Sequence, residues 1–307
     1  VQHLIGLDVG TTGCKAVVFD PRGEIRGQGF QEYGILGGEP GMAEQDAEEV
    51  WRLTCLALRE ALQQARGAGV PSSELRALSL SVQGDAIIPV GRRLRPVQHA
   101  VLGMDYRSQP QAERCRELFG DRELFQRTGM RPHPINALIK MLWLREKRPE
   151  AYKAAWKITT YEEFILGRLG AEPVIDHTMA SRSMAFDLHR REWAVDLLER
   201  LSIDPALLCR VVPSGTPAGK VSEEAAAESG LAPGTVLVTG GHDQCCAALG
   251  AGVIDQGLGV VSTGTAEVLS TAFRRPALGE QMFSGYYPCY LHARPGLYFT
   301  FALNHVG

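Results

Sequence analysis

Five short stretches carry residue types that could do chemistry together. Asp-Val-Gly-Thr-Thr-Gly at 8–13 ends an apolar run with a carboxylate and follows it with two glycines, two hydroxyls and several backbone N–H groups. Phosphate oxygens need such donors with no side chain in the way, and a neighbouring carboxylate can hold Mg²⁺ through water. Gly10, Thr11, Thr12 and Gly13 are therefore candidate phosphate ligands, Asp8 is a candidate metal ligand, and Lys15 can add charge. The competing reading is an ordinary glycine hairpin. No Gly-Lys-Ser/Thr closes the turn and no GxGxxG opens a helix, so it is neither a Walker A loop nor a dinucleotide fingerprint.

Gly-His-Asp-Gln at 241–244 puts an acid between a buried strand and a helix of small residues. Ligands bind at strand C-termini in α/β sheets, so Asp243 is a candidate base for a hydroxyl; the alternative is a helix N-cap. His242 beside it reads as a hydrogen-bonded core or loop histidine, with no second ligand at zinc spacing. Ser-Thr-Gly-Thr at 262–265 could cradle a second phosphate through Thr263, Gly264 and Thr265. Gln83, Gly84 and Asp85 at a strand end offer an amide and a carboxylate to neighbouring hydroxyls, or form a turn. Asp105 and Arg107 read as a loop ion pair or as sugar ligands.

Short β-branched and apolar runs at 3–8 and 14–20 flank the first glycine turn as a hairpin, and a third strand over 24–33 completes an antiparallel meander. Asp46 caps a helix reaching Ala65, with apolar residues at helical spacing. Strands are expected at 75–82 and 86–90, helices at 109–118, 136–146 and 160–168, a polar loop at 176–183 and a helix at 192–200. A buried strand at 235–239 leads through Asp243 into a helix over 244–250, and strands at 257–263 and 266–271 flank Gly264 and Thr265. The second Gly-Thr hairpin echoes the first about 250 residues later.

At 307 residues, 45% hydrophobic and 22% charged, the composition is that of a folded α/β protein with one large core or two. A net charge of −3 argues against nucleic acid or an anionic membrane as partner. No apolar run is long enough to span a bilayer. Seven scattered cysteines without CxxC spacing read as reduced packing residues of a cytoplasmic protein. Val1 at one end and a strand-like run into Gly307 at the other read as the ends of a fragment.

The order and spacing of these motifs, with Ala-Ser-Arg-Ser at 180–183, resemble the FGGY carbohydrate kinases over essentially the whole chain. The resemblance implies the actin-like ASKHA fold of two ribonuclease-H-like lobes. Residues 1–252 would form the sugar-binding lobe and 253–307 the start of the nucleotide lobe. It implies ATP and Mg²⁺ as cofactors, Asp8 and Asp243 near the metal, and Asp243 as the base that deprotonates the acceptor hydroxyl. Gln83, Gly84, Asp85, Asp105, Arg107, Asp243 and Gln244 would contact a small sugar or polyol, and the assembly allows a homodimer.

Gly84-Asp85 departs from the Arg-Glu of glycerol kinases and the Met-His of xylulokinases, so a pentulose or polyol outside those two types is the expected acceptor. A fragment would bind sugar yet turn over ATP poorly. The competing classes are an ASKHA-type ATPase or regulatory protein and a catalytically silent sugar-binding lobe. A nicotinamide-dependent dehydrogenase is disfavoured because a hairpin, in place of a crossover helix, joins the opening strands.

Overall fold

The structure is a computed structural model, and it describes residues 2–263 and 267–304. The first six principal strands are β1 (His3–Val9), β2 (Gly13–Phe19), β3 (Ile25–Glu32), β4 (Leu75–Val82), β5 (Pro217–Lys220) and β6 (Val236–His242). They form one sheet in the order β5-β6-β4-β1-β2-β3. The expected meander is there: β2 is antiparallel to β1 and to β3. β4 runs parallel to β1 and β6 parallel to β4, while β5 closes the edge antiparallel.

Alternation along β1 sends Ile5, Leu7 and Val9 into the core and leaves Asp8 on the opposite face. The core side is covered by α1 (Ala47–Gly67), whose first turn is capped by Asp46 accepting from the Glu48 and Glu49 N–H groups. Its buried stripe of Val50, Leu53, Ala57, Leu58, Ala61, Leu62 and Ala65 matches the predicted periodicity.

Between β4 and β6 the chain builds α2 (Gln109–Phe119), α3 (Asp121–Thr128), α4 (Ala137–Lys147), α5 (Tyr161–Arg168) and α6 (His177–Arg182). The stretch expected as a polar loop at 176–183 is a buried helix. Asp176 caps it by accepting from the Thr178 and Met179 N–H groups, and Thr178, Ser181, Arg182 and Ser183 are buried within it. Polar composition suggested solvent, but each of these side chains has a hydrogen-bond partner inside.

After β6 comes α7 (Asp243–Gly250), followed by a second, antiparallel sheet. Its strands are β7 (Gly259–Thr263), β8 (Glu267–Phe273), β9 (Tyr290–Leu291) and β10 (Tyr298–Asn304), in the order β7-β8-β10-β9. Tyr290 and Phe299 from this sheet join the same apolar cluster as Cys245 and Ala248 of α7. The seven cysteines are all free, six of them buried, as their spacing predicted. Among the described residues no helix is long and apolar enough to cross a membrane.

Candidate active site

Strand register assembles the site. Asp8 of β1 lies opposite Ser81 of β4, and Ser81 lies opposite Gly241 of β6, so the C-terminal ends of three parallel strands finish side by side. Gln83–Asp85 and Asp243 follow directly from two of them. This is the edge of an α/β sheet at which ligands are held.

Two cavities meet there. The larger, about 810 Å³, lies on the face of β1, β2 and β4 away from α1, and Asp8, Lys15, Ser81, Ser214, Gly215, Asp243 and Gln244 contribute to its lining. The smaller, about 360 Å³, has a polar side that includes Gln83, Asp85, Arg182, His242, Asp243 and Gln244. Its apolar lining includes Leu102, Met104 and Ile135 from the loops that precede α2 and α4, with Val268, Phe301 and Leu303 from the second sheet. Asp243 and Gln244 line both cavities.

Asp243 opens α7 and does not cap it; His242 holds the cap position. Its Oδ1 accepts the Gln244 N–H at 2.6 Å and lies 3.1 Å from His242 Nε2. Oδ2 makes no hydrogen bond among the described residues, which leaves it for a ligand. Burial pushes the carboxyl up to about 6, with Asp8 and Asp85 adding repulsion, while the Gln244 N–H and the Arg182 charge hold it back. A carboxylate so placed is ionised at neutral pH yet basic enough to take a proton.

His242 is buried, and burial with the nearby Arg182 charge keeps its pKa well below 6.5, so the ring is neutral. The Tyr290 hydroxyl sits 3.4 Å from Nδ1. Gly84 makes room for the ring, because a Cβ there would lie 2.6 Å from His242 Nε2. The His242 N–H donates to Thr178 Oγ1 at 2.8 Å, and Thr178 Oγ1 donates to Asp176. Behind these, Glu162 accepts from the Gly240 and Asp176 N–H groups, and Ser214 donates to Asp176. Glu162 and Asp176 are fully buried, and burial raises both carboxyls.

The turn at 10–13 is held from below. Tyr33 Oη donates to the carbonyls of Gly10 and Gly13 at 2.7 and 2.9 Å. Gln45 donates to the Thr11 carbonyl at 2.6 Å, and Gln83 Nε2 donates to the Gly10 carbonyl at 3.0 Å and to Gln45 Oε1 at 3.1 Å. Gln83 thus ties the turn to the smaller cavity as well as lining it. Thr11 lines that cavity too, and Thr12 is exposed. Lys15 pairs in register with Asp8 on the floor of the larger cavity. Burial raises the Asp8 carboxyl, while the Ser81 hydroxyl, donating at 2.6 Å, and the Lys15 charge act against that.

Asp105 and Arg107 are not brought to the cavity wall. The Asp105 carboxylate accepts the Ala43 N–H at 2.9 Å and pairs with Arg107, and Arg107 also binds Glu44 and stacks 4.4 Å over Trp143. The loop ion pair, in place of the sugar contact, is what forms; their neighbours Gly103, Met104 and Tyr106 line the cavity instead. Thr263 ends β7 and is exposed, whereas Gly264 and Thr265 lie outside the described residues. Sequence reasoning missed Arg182, Ser81 and Ser214 as wall residues. Arg182 fell within a motif that had been noted, but no local pattern marks the two serines.

Mg²⁺ fits this donor set. Two carboxylates, Asp8 and Asp243, share one cavity, yet no cluster of three metal-ligating side chains occurs among the described residues. That suits an ion which keeps its waters and binds mainly through substrate phosphates.

Residues 3–250 match the family model for the N-terminal domain of the FGGY family of carbohydrate kinases. The autoinducer-2 kinase of Yersinia enterocolitica is 32% identical over 269 residues, covering 86% of this chain and 50% of that protein. The gluconate kinase of Lactobacillus acidophilus superposes with a TM-score of 0.89 at 24% identity, covering 98% of this chain and 59% of that one. The ligand-bound xylulose kinase of Lactobacillus acidophilus gives 0.89 at 23%, covering 99% and 60%. The chain spans about half the length of the curated relatives it matches. The structural likenesses show the fold: the mixed sheet is that of sugar-kinase N-terminal domains, as the sequence resemblance implied.

Proposed function

The chain belongs to the FGGY family of carbohydrate kinases, and on that premise we propose that the protein transfers the γ-phosphoryl group of ATP to a hydroxyl of a pentulose or polyol. The observation that carries this reading is the position of Asp243, which lines both the larger cavity with its phosphate-suited wall and the smaller one with its hydroxyl-suited wall. A base for phosphoryl transfer belongs at such a junction.

The acceptor hydroxyl donates to Asp243 Oδ2, and the proton passes to the carboxylate as oxygen attacks phosphorus. Asp85 and Gln244 orient the acceptor. Lys15 and the backbone N–H groups at 10–13 bind phosphate oxygens, and the turn is held in shape beforehand by Tyr33, Gln45 and Gln83. Asp8 and Asp243 would hold Mg²⁺, which neutralises charge on the phosphates. Positioning and charge neutralisation supply most of such catalysis. We read residues 1–252 as the acceptor lobe and 253–307 as the start of the nucleotide lobe, supported by the family match ending at 250 and the second sheet beginning at 259. We place the reaction in the cytoplasm, where seven free cysteines stay reduced.

The test is ADP release by the full-length protein with Mg²⁺-ATP and a panel of pentuloses, pentitols and tetritols. Release should depend on one acceptor, and Asp243→Asn should lower kcat by roughly 10²–10⁴, the usual contribution of a positioned base. ADP release indifferent to every acceptor would favour an ATPase and refute the proposal.

A further inference from the structure

Arg182 ends α6, far from Asp85 in sequence, yet the two side chains meet in the wall of the smaller cavity. Arg182 Nε donates to Asp85 Oδ2 at 3.1 Å, and Nη2 makes a second bond to the same oxygen. Both side chains are buried, at 7% and 3% exposure. The guanidinium carbon lies 5.0 Å from the Tyr290 ring centroid and 5.3 Å from that of Phe301, so the cation also has an aromatic seat. Asp85 adopts φ +64°, a left-handed conformation uncommon for a residue other than glycine. Asp85 Oδ1 carries no hydrogen bond among the described residues.

The charges on the cavity wall can be counted. Among its described lining residues Asp85 and Asp243 are acids and Arg182 is the one arginine or lysine. Lys140 lies behind Ile135, donates to the Ile135 carbonyl and does not line the cavity. Two of the three Arg182 nitrogens are therefore already taken by a carboxylate of the protein itself, and Nη1 is the buried donor left without a hydrogen-bond partner among the described residues. A ligand carboxylate entering here would lose its water beside two acids, and the one cation of the wall is already paired with Asp85.

We propose that the Arg182–Asp85 pair sets the charge class of the acceptor: the cavity takes a neutral polyhydroxy compound, whose hydroxyls donate to Asp85 Oδ1, and rejects the matching aldonate. The inference rests on the reading above that this cavity is the acceptor site. Arg182 acts through Asp85, as a positioning residue, and Asp85 is what the ligand touches. A consequence is that removing the Asp85 charge frees the guanidinium for a ligand carboxylate.

The test is calorimetric titration of the chain with xylitol against xylonate and ribitol against ribonate, on the parent chain, Asp85→Asn, Arg182→Met and the double variant. The parent should bind a polyol at least tenfold more tightly than its aldonate. Asp85→Asn should move that ratio at least tenfold toward the aldonate, a change that a merely structural role for the pair would not produce. Arg182→Met should weaken polyol binding at least tenfold, yet add less than threefold on top of Asp85→Asn, because its effect runs through Asp85. If Arg182→Met fails to fold with Asp85 left unpaired, the double variant removes both charges and, with Asp85→Asn, still decides the matter. A parent that prefers the aldonate, or a ratio unchanged by Asp85→Asn, overturns the inference and leaves the kinase reading standing. No binding of any of the four compounds to the folded parent overturns that reading of the cavity and the inference with it.

Discussion

Gly240 sits where β6 runs beside β4 at an interruption of the pairing between Val238 and Gly241, and its position makes a sharp prediction. A Cβ built there would lie 1.5 Å from the Leu80 carbonyl oxygen and 2.5 Å from the Leu80 carbonyl carbon. Both are backbone atoms, so no side-chain rotation can relieve the overlap. Ordinary contact begins at 3.4 Å, so Gly240→Ala must part the two strands by about 1.9 Å. Hydrogen bonds near 2.9 Å do not survive such a gap, and the Gly240 N–H would also leave Glu162. Overpacking of about 1–3 kcal/mol plus about two lost backbone hydrogen bonds near 1 kcal/mol each gives roughly 3–5 kcal/mol. For a domain of this size that corresponds to a fall in Tm of about 6–10 °C.

The same shift moves Asp243, three residues on, by a distance that costs catalysis about 10²-fold. Gly67 is the control: it ends α1 with nothing within 4 Å, so Gly67→Ala should be neutral or gain about 0.5–1 kcal/mol. Thermal melts by circular dichroism and ADP release on the two variants decide the matter. A Gly240→Ala protein that melts within 2 °C of the Gly67→Ala protein, using about 2 °C per kcal/mol, would refute the packing argument.

Two pH dependences follow from other buried carboxyls. Asp243 must be ionised to accept a proton and its carboxyl sits at about 6, so kcat/KM should be steady above pH 7 and fall roughly tenfold per unit below 6. A limb near pH 4 in the pH–rate profile would show that burial does not raise this acid. Glu163 is fully buried against Thr160 with its carboxyl raised from 4.5 to about 7, mainly by desolvation. A raised folded pKa contributes stability that is fully present below 4.5 and lost as pH climbs through 7, about 3 kcal/mol in all. Glu163→Gln should flatten the pH dependence of urea stability between 5 and 8, and a slope unchanged by the substitution would rule out this residue as its source.

Local signals made the frame legible. Two short apolar runs around a glycine turn marked β1 and β2, and Asp46 announced α1 because a cap and an apolar stripe lie within a few residues of each other. The glycine turn and the acid at the end of β6 were visible for the same reason. The pairs that complete the site were hidden because they join distant segments: Arg182 reaches Asp85 across 97 positions and Ser214 reaches Asp176 across 38. Residues 176–183 looked like a loop because the distant partners of Thr178, Ser181 and Arg182, the His242 N–H, the Leu291 N–H and Asp85, cannot be read from the stretch itself. Asp105 and Arg107 looked like ligands because charge type is readable in a sequence whereas the backbone amide of Ala43 that occupies Asp105 is not.

The smaller cavity takes one wall from the strand ends of the large sheet and another from Val268, Phe301 and Leu303 of the second sheet, with the Arg182 cation seated against Tyr290 and Phe301. An occupant that touches both walls works as a clamp. Whatever free energy it gains from a tighter spacing of the two sheets is the same free energy by which it draws them together. Small side-chain changes on β10, remote from the base, therefore set both how firmly the acceptor is held and how stiffly the two halves are joined, and neither quantity can be tuned without the other.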